Sequence, residues 1–321
     1  MLKVISFGEA LVDMLSSKVS ENQSDGIEQF AKYPGGAPAN VAAAVGKLGG
    51  NSYMAGKIGT DMFGAFMRQS LQNAGVNTDY LLDTDEANTA LAFVSLDSEG
   101  ERSFTFYRNP SADMLFTPDE FEDQWFSDAG IFHFCSNTLT ASGIREATLA
   151  GIDKAKAAGF LISFDVNLRS NLWPAGSDPA APIWQALMLS DLVKLSQDEM
   201  NFLAAATSQD EVLQRLLDSG VSLVLLTDGS NPLRYFSQQN TGTVTPPTVK
   251  MVDSTAAGDA FIGGFIYQLA AMDCQHSELN TLLNTPDRLE KALRFASYCG
   301  AHAVSHKGAF TSLPSINDLP L

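Results

Sequence analysis

The chain has 321 residues and carries 37 Asp and Glu against 20 Lys and Arg, a formal net charge of −17. A body that acidic repels phosphate backbones and anionic lipid, which excludes nucleic acid and membrane surfaces as partners. The length is enough for one large α/β domain with a sizeable core.

Met1 to Leu15 is apolar but contains Glu9 and Asp13 and lacks a basic leader. It reads as a first strand, not a signal peptide. No uncharged apolar run reaches the length of a membrane span. Cys135, Cys274 and Cys299 show no metal-ligand spacing and read as buried free thiols of a reducing compartment, so a cytoplasmic protein is expected. His133, His276, His302 and His306 have no ligand spacing with them either. Walker, dinucleotide-fingerprint and H-E-x-x-H motifs are absent.

Lys3–Phe7 has a buried-strand pattern and runs into Gly8-Glu9-Ala10-Leu11-Val12-Asp13. A carboxylate just past the carboxyl end of a central strand is where open α/β sheets place ligand contacts, so Asp13 is a candidate grip for sugar hydroxyls; a turn aspartate is the plainer reading. Residues 16 to 33 are polar and weakly patterned, suiting lid or edge strands. Gly35-Gly36-Ala37-Pro38-Ala39-Asn40 then opens an alanine-rich helix, with two glycines for close backbone approach and Pro38 in the first turn.

Strands and helices alternate after that: Tyr53–Ile58, a helix from Asp61 to Ala74, and Tyr80–Leu82. Ala90–Leu96, a turn at Ser98-Glu99-Gly100, and Ser103–Arg108 predict a hairpin. From Ile131–Cys135 the order is regular, with a helix over Gly143–Ala158 and strands at Phe160–Asp165, Leu192–Leu195 and Leu223–Thr227. Leu233–Phe236 looks like a hairpin return. Polar residues recur just beyond the strands: Asn167 and Arg169, Ser196 to Glu199, and Asp228-Gly229-Ser230. They mark one end of a parallel sheet. No linker separates independent domains.

The chain is organised around Asp253-Ser254-Thr255-Ala256-Ala257-Gly258-Asp259, which opens the most apolar helix candidate, Ala260 to Met272. First-turn N–H groups lack internal partners and lie at the positive end of the helix dipole, which suits phosphate. Asp259 at that mouth needs a reason. The economical one is a base that takes the proton from a hydroxyl attacking a phosphoryl group. Simple helix capping is the competing explanation for the same residues.

Taken together, Gly35–Asn40 and Asp253–Asp259 resemble the two sugar-kinase signatures of the ribokinase (PfkB) family, in the right order and separation, and the resemblance covers essentially the whole chain. It implies an α/β, ribokinase-like fold: a Rossmann-like central sheet flanked by helices, with a small β-sheet lid. One domain, 1–321, would include lid segments at about 12–34 and 88–110. By the resemblance, Asp259 is the catalytic base, and the N–H groups of Ala256, Ala257, Gly258 and Asp259 form an anion hole. Asp13, Gly35, Gly36 and Asn40 contact sugar. Lys194, Thr227, Asp228, Gly229, Ser230 and Gly258 bind nucleotide, and Glu199 organises Mg²⁺ through its waters. Asp253, Thr255, Ala303, His306, Gly308 and Ser312 match a loop-built K⁺ site. ATP is the implied co-substrate, and a homodimer covering the lid edges is plausible on the same ground.

The signatures carry two departures. Ala256 stands where glycine is usual, so an ordinary backbone angle is expected there. Ser196 replaces the Asn of the N-x-x-E motif, which would remove one hydrogen bond near the metal's waters. Glu101–Phe106, Pro110–Asp113 and Phe164–Arg169 look most like bacterial fructokinases, with aminoimidazole riboside kinase a close neighbour and ketodeoxygluconate kinases more distant. Arg108 and Arg169 are then candidates to face substrate, with a surface salt bridge the alternative for each. A non-catalytic sugar- or nucleotide-binding regulator on the same fold is the rival from another class. Retention of Gly258, Asp259 and Glu199 disfavours it.

Overall fold

The computed structural model describes residues 1–16, 28–96 and 102–320. The expected turn at Ser98-Glu99-Gly100 and much of the polar segment 16–33 lie outside these.

The strands are β1 (Lys3–Phe7), β2 (Leu11–Ser16), β3 (Phe30–Gly35), β4 (Asn51–Gly59), β5 (Leu81–Thr84), β6 (Leu91–Leu96), β7 (Arg102–Tyr107), β8 (Gly130–Cys135), β9 (Leu161–Asp165), β10 (Leu192–Ser196), β11 (Leu223–Thr227), β12 (Leu233–Phe236) and β13 (Thr241–Val244). The helices are α1 (Ala37–Lys47), α2 (Met62–Asn73), α3 (Ser142–Ala157), α4 (Ala180–Leu187), α5 (Gln197–Leu203), α6 (Gln209–Asp218), α7 (Ala257–Ala271), α8 (His276–Leu283) and α9 (Pro286–Val304).

Nine strands form one sheet in the order β13-β12-β11-β10-β9-β8-β1-β4-β5. From β11 to β5 every pairing is parallel, while β12 and β13 add antiparallel turns at one edge. A parallel sheet must be covered on both faces, and its strands are accordingly mostly apolar. Alternate residues divide between two cores. Phe132, Phe134, Ile162, Phe164, Val193 and Leu195 pack on one face with Ile144 and Ile152 of α3, Ile183 of α4, and Val212 and Leu216 of α6. Ile131, Leu161, Leu192, Leu223 and Leu225 face the other way, against α1, α7, α8 and α9.

On that second face the apolar pattern stops short of the strand ends. Ser6, His133 and Ser163 occupy one buried row, and Cys135, Asp165 and Lys194 the next. The register partners His133 and Ser163 are hydrogen-bonded, Nδ1 to Oγ, at 3.0 Å. Burial holds the His133 pKa down at about 3, so the ring is neutral, and Lys194 adds to this.

α7 lies between α1 and α9 because it has no side chains at the crossings. A Cβ on Gly263 would come 2.6 Å from Ala44, and one on Gly264 2.7 Å from Cys299 Sγ. The approach brings the starts of α1 and α7 together over the carboxyl ends of β1, β8 and β9.

The second sheet has four strands, β3-β2-β6-β7. β2 leaves the main sheet directly after β1, and β6 and β7 form the expected antiparallel hairpin, with Leu91 opposite Tyr107. Ala90, Ala92 and Leu11 make its small core, with Phe106 packed on it. Cys135, Cys274 and Cys299 are buried and unbridged. Among the described residues no helix is long and apolar enough to cross a membrane.

Candidate active site

The start of α7 is formed by a left-handed turn. Ala256 is its N-cap, at φ 57° and ψ 12°. This corrects the expected ordinary angle: alanine takes the conformation that glycine takes at lower cost, with strain of about 1 kcal/mol. The turn has no side-chain cap; Ala257 N–H donates to the Ser254 carbonyl at 3.3 Å, and the N–H groups of Gly258 and Asp259 are left for a ligand.

Asp259 is 9% exposed. Its Oδ2 accepts a hydrogen bond from Asn40 Nδ2 at 2.7 Å. Burial pushes its carboxyl above the ordinary carboxylate range, while Asn40 and the cations Lys194 and Arg169 pull the other way. A buried carboxylate kept ionisable by one hydrogen bond and two cations is suited to accept a proton.

Asn40 comes from the first turn of α1, whose N-cap Gly36 sits at φ 97° and ψ 126°. A side chain there would strike the Glu9 carbonyl at 2.5 Å. Gly35 is closed to side chains for a different reason: the carboxylate of Asp13 occupies the space. Asp13 lies on β2 opposite Tyr33 of β3, half-buried. The structure therefore brings Asp13, Gly35, Gly36, Asn40 and Asp259 to one place.

Beneath them lies a polar network not singled out from the sequence. Glu9 Oε1 accepts from Ala37 N at 3.2 Å and from Asn137 Nδ2 at 2.8 Å. Burial raises the Glu9 pKa, with Arg108 and Asn137 opposing. Glu9 Oε2, Asn40 Oδ1 and Asn137 Oδ1 are buried without a protein partner. Arg108 belongs to this network. It is 6% exposed, and its guanidinium bonds Asp113 at 2.7 and 2.6 Å, the Asn137 carbonyl and Thr140. That corrects both readings of Arg108: it is no surface salt bridge, and its donors are spent on the protein. Its place behind the wall follows from Asp113, five residues on, which sequence alone does not pair with it.

On the other side of Asp259, Lys194 Nζ bonds both carboxylate oxygens of Asp165 at 3.0 and 2.9 Å. A Cβ on Gly258 would meet that ammonium at 2.9 Å. Glu199 tops α5, where Oε2 accepts from Ser196 N and Oε1 from Leu168 N. Ser196 Oγ caps Glu199 N in return. The substituted serine thus completes a capping box that holds Glu199 in place. Arg169 is exposed and its charge reaches Asp259. Thr227 ends β11, its hydroxyl on the Leu195 carbonyl, and Asp228, Gly229 and Ser230 form the following turn.

At the far side of the α7 turn, Asp253 receives N–H groups from Thr255 and Gly308, both at 2.9 Å. This joins the loop before α7 to the loop after α9. Ala303 lies in the last turn of α9, His306 Nδ1 donates to the His302 carbonyl, and Ser312 Oγ donates to the Ala309 carbonyl. The residues expected around a cation are therefore neighbours in two joined loops.

Comparison with known proteins identifies the family. Residues 1–316 match the pfkB family carbohydrate kinase model. Fructokinase-2 of Oryza sativa subsp. japonica is 42% identical over 317 residues, spanning 98% of this chain and 91% of that protein. A fructokinase from Xylella fastidiosa, solved with bound ATP, has a TM-score of 0.93 and 44% identity, covering 98% of this chain and 96% of that one. Aminoimidazole riboside kinase from Salmonella enterica, complexed with aminoimidazole riboside and an ATP analog, gives a TM-score of 0.82 at 33% identity, covering 98% and 97%. The chain belongs to the pfkB family and is a carbohydrate kinase.

Proposed function

We infer that the protein transfers the γ-phosphate of ATP to the C6 hydroxyl of fructose. The observation that carries the reaction type is the buried Asn40–Asp259 pair at the uncapped start of α7. Fructose is favoured because relatives at about 40% identity and the Xylella structure are fructokinases.

The sugar lies against Asp13, Gly35, Gly36 and Asn40, whose Oδ1 still lacks a donor. Asp259 takes the hydroxyl proton as the oxygen attacks, worth on the order of 10²–10⁴ in rate. The N–H groups from Ala256 to Asp259, with Lys194 beside Gly258, face the charge that spreads over the transferred group. Thr227, Asp228, Gly229 and Ser230 hold the nucleotide, and Arg169 lies toward its phosphates.

Glu199 has one N–H on each oxygen, which leaves acceptor capacity and fits a carboxylate that binds a metal's waters. Mg²⁺ held there through its waters would supply charge neutralisation to the phosphates. Asp253 with the carbonyls and hydroxyl of Thr255, Ala303, His306, Gly308 and Ser312 is an all-oxygen donor set, which fits a hard cation such as K⁺. His306 would contribute its carbonyl, while its Nδ1 is bonded to the His302 carbonyl.

β3 and β7 are open edges of the small sheet, with Phe30 and Tyr107 exposed, which supports a lid covered by a second copy. A cytoplasmic setting suits the unbridged thiols.

ADP release from Mg·ATP with K⁺ tests the reading across fructose, aminoimidazole riboside, ribose and ketodeoxygluconate. Turnover on fructose well above the others is expected. Turnover confined to the riboside would overturn the substrate and leave the catalytic roles standing.

A further inference from the structure

We propose that Asp165 is a positioning residue that acts through Lys194: it holds the lysine ammonium against the first turn of α7 and away from the base Asp259. This rests on the phosphoryl-transfer reading above and deepens it.

Asp165 and Lys194 are register partners on the parallel strands β9 and β10, on the face that α7 covers. Their side chains are 2% and 8% exposed. An ion pair this deep is a weak device for stability, because desolvation offsets most of the attraction. Its location gives a better reason. The ammonium sits under Gly258, and a side chain at that position would collide with it. Two short bonds run to Asp165, and no other protein acceptor takes the third N–H among the described residues. One buried donor is thus left over beside the anion hole.

The surroundings explain why the ammonium needs an anchor. Lys194 faces Asp165 from β9, Glu199 from α5, Asp259 from α7, and neutral His133 from β8. Asp259 faces Asn40 from α1, Lys194, Arg169 after β9, and the carboxyl of Asp165 and thiol of Cys135 within range of its charge. A lysine has a long flexible stem. Without the Asp165 carboxylate, its nearest anions are Glu199 and the base itself. Contact with Asp259 would favour the charged carboxylate and so weaken it as a base, while drawing the cation away from the transferred phosphoryl group.

The pair keeps cation and base apart. Burial raises the Asp165 pKa to about 7 against the pull of Lys194, with Glu199 and Asp259 adding to the rise. The anchor is therefore itself sensitive to small changes in its neighbours.

The test is the pH dependence of kcat for the full-length enzyme and three variants, on whichever of the four sugars the wild type turns over. Asp165→Asn should lower plateau kcat on the order of 10²-fold, leave the KM for sugar nearly unchanged, and move the acid limb to lower pH. Lys194→Met should move that limb the opposite way, because Asp259 loses a cation that favours its charged form. Asp165→Glu should return the limb toward its wild-type position. A merely structural pair would lower the unfolding temperature and shift the limbs through its charges alone, with plateau kcat of Asp165→Asn unchanged; that unchanged plateau, or limbs moving the same way, overturns the proposal. If Asp165→Asn does not fold, Lys194→Met decides alone, and an unmoved limb sinks the idea. Wild-type silence on all four sugars would instead strike the catalytic reading, which keeps the two failures distinct.

Discussion

The helices of this protein begin in two different ways. α2 and α6 are closed by side chains: Asp61 takes the N–H groups of Phe63 and Gly64, and Ser208 takes that of Glu211. α1 and α7 have no side-chain cap, and their N-cap residues, Gly36 and Ala256, both sit at positive φ. A bare start alone decides nothing, since α3 also lacks a side-chain cap behind an extended Ala141. What sets α1 and α7 apart is the conjunction of a positive-φ N-cap that makes no side-chain bond and a buried polar residue one turn in; at α1 the Ala37 N–H is taken by Glu9 from outside the helix. The capped helices spend their first donors on stability. At α7 no side chain among the described residues takes the N–H groups of Gly258 and Asp259, and Asn40 and Asp259 link the two starts.

The comparison can be broken most severely at Asp259. Asp259→Asn should lower kcat on the order of 10²–10⁴-fold, with fructose and ATP affinities by calorimetry close to wild type; retained turnover would remove the base from α7. Cutting the link from the other side sharpens the point. Asn40→Ala deletes a hydrogen bond that favours charged Asp259, so more of the base is protonated at a given pH. The acid limb of kcat should move to higher pH, and a limb moving downward would contradict the assignment.

Gly36→Ala puts a methyl group 2.5 Å from the Glu9 carbonyl at a φ that suits glycine. It should cost about 1–3 kcal/mol of stability in denaturant melts and weaken sugar binding. Ala256→Gly is the mildest change. It relieves the strain of a left-handed alanine but loosens the unfolded chain, so a gain of at most about 1 kcal/mol is expected. A drop in melting temperature would mean that the alanine methyl has a packing role.

The two kinds of start were unequally legible in the sequence. The parallel sheet could be read from its strands because burial on both faces makes them continuously apolar, and β1, β8, β9, β10 and β11 fall close to where the pattern puts them. Asn40 and Asp259 stood out because small residues precede each at a helix start. The backbone of Ala256 did not: residue identity argued for an ordinary angle, and the tertiary demand of the turn overrode local preference. Arg108 and Lys194 needed three dimensions for another reason. Asp165 is the register partner of Lys194 on the neighbouring strand, twenty-nine positions away in sequence, and Arg108 is buried by Asp113 and the Asn137 carbonyl, which meet only in the folded chain. Glu9 was visible as a polar residue after β1, but its place below the wall depends on Asn137.

The order of the chain has a consequence for synthesis. All strands of the large sheet lie before α7, so a ribosome has released the whole sheet before Ala256, Gly258 and Asp259 emerge. Domains can begin to fold as they are made, at roughly 5–20 residues per second. Asn40 would then wait for its partner while α1 covers only part of the sheet face that α7 and α9 later complete. The nascent protein therefore carries an uncovered apolar sheet face for several seconds and gains its chemistry last.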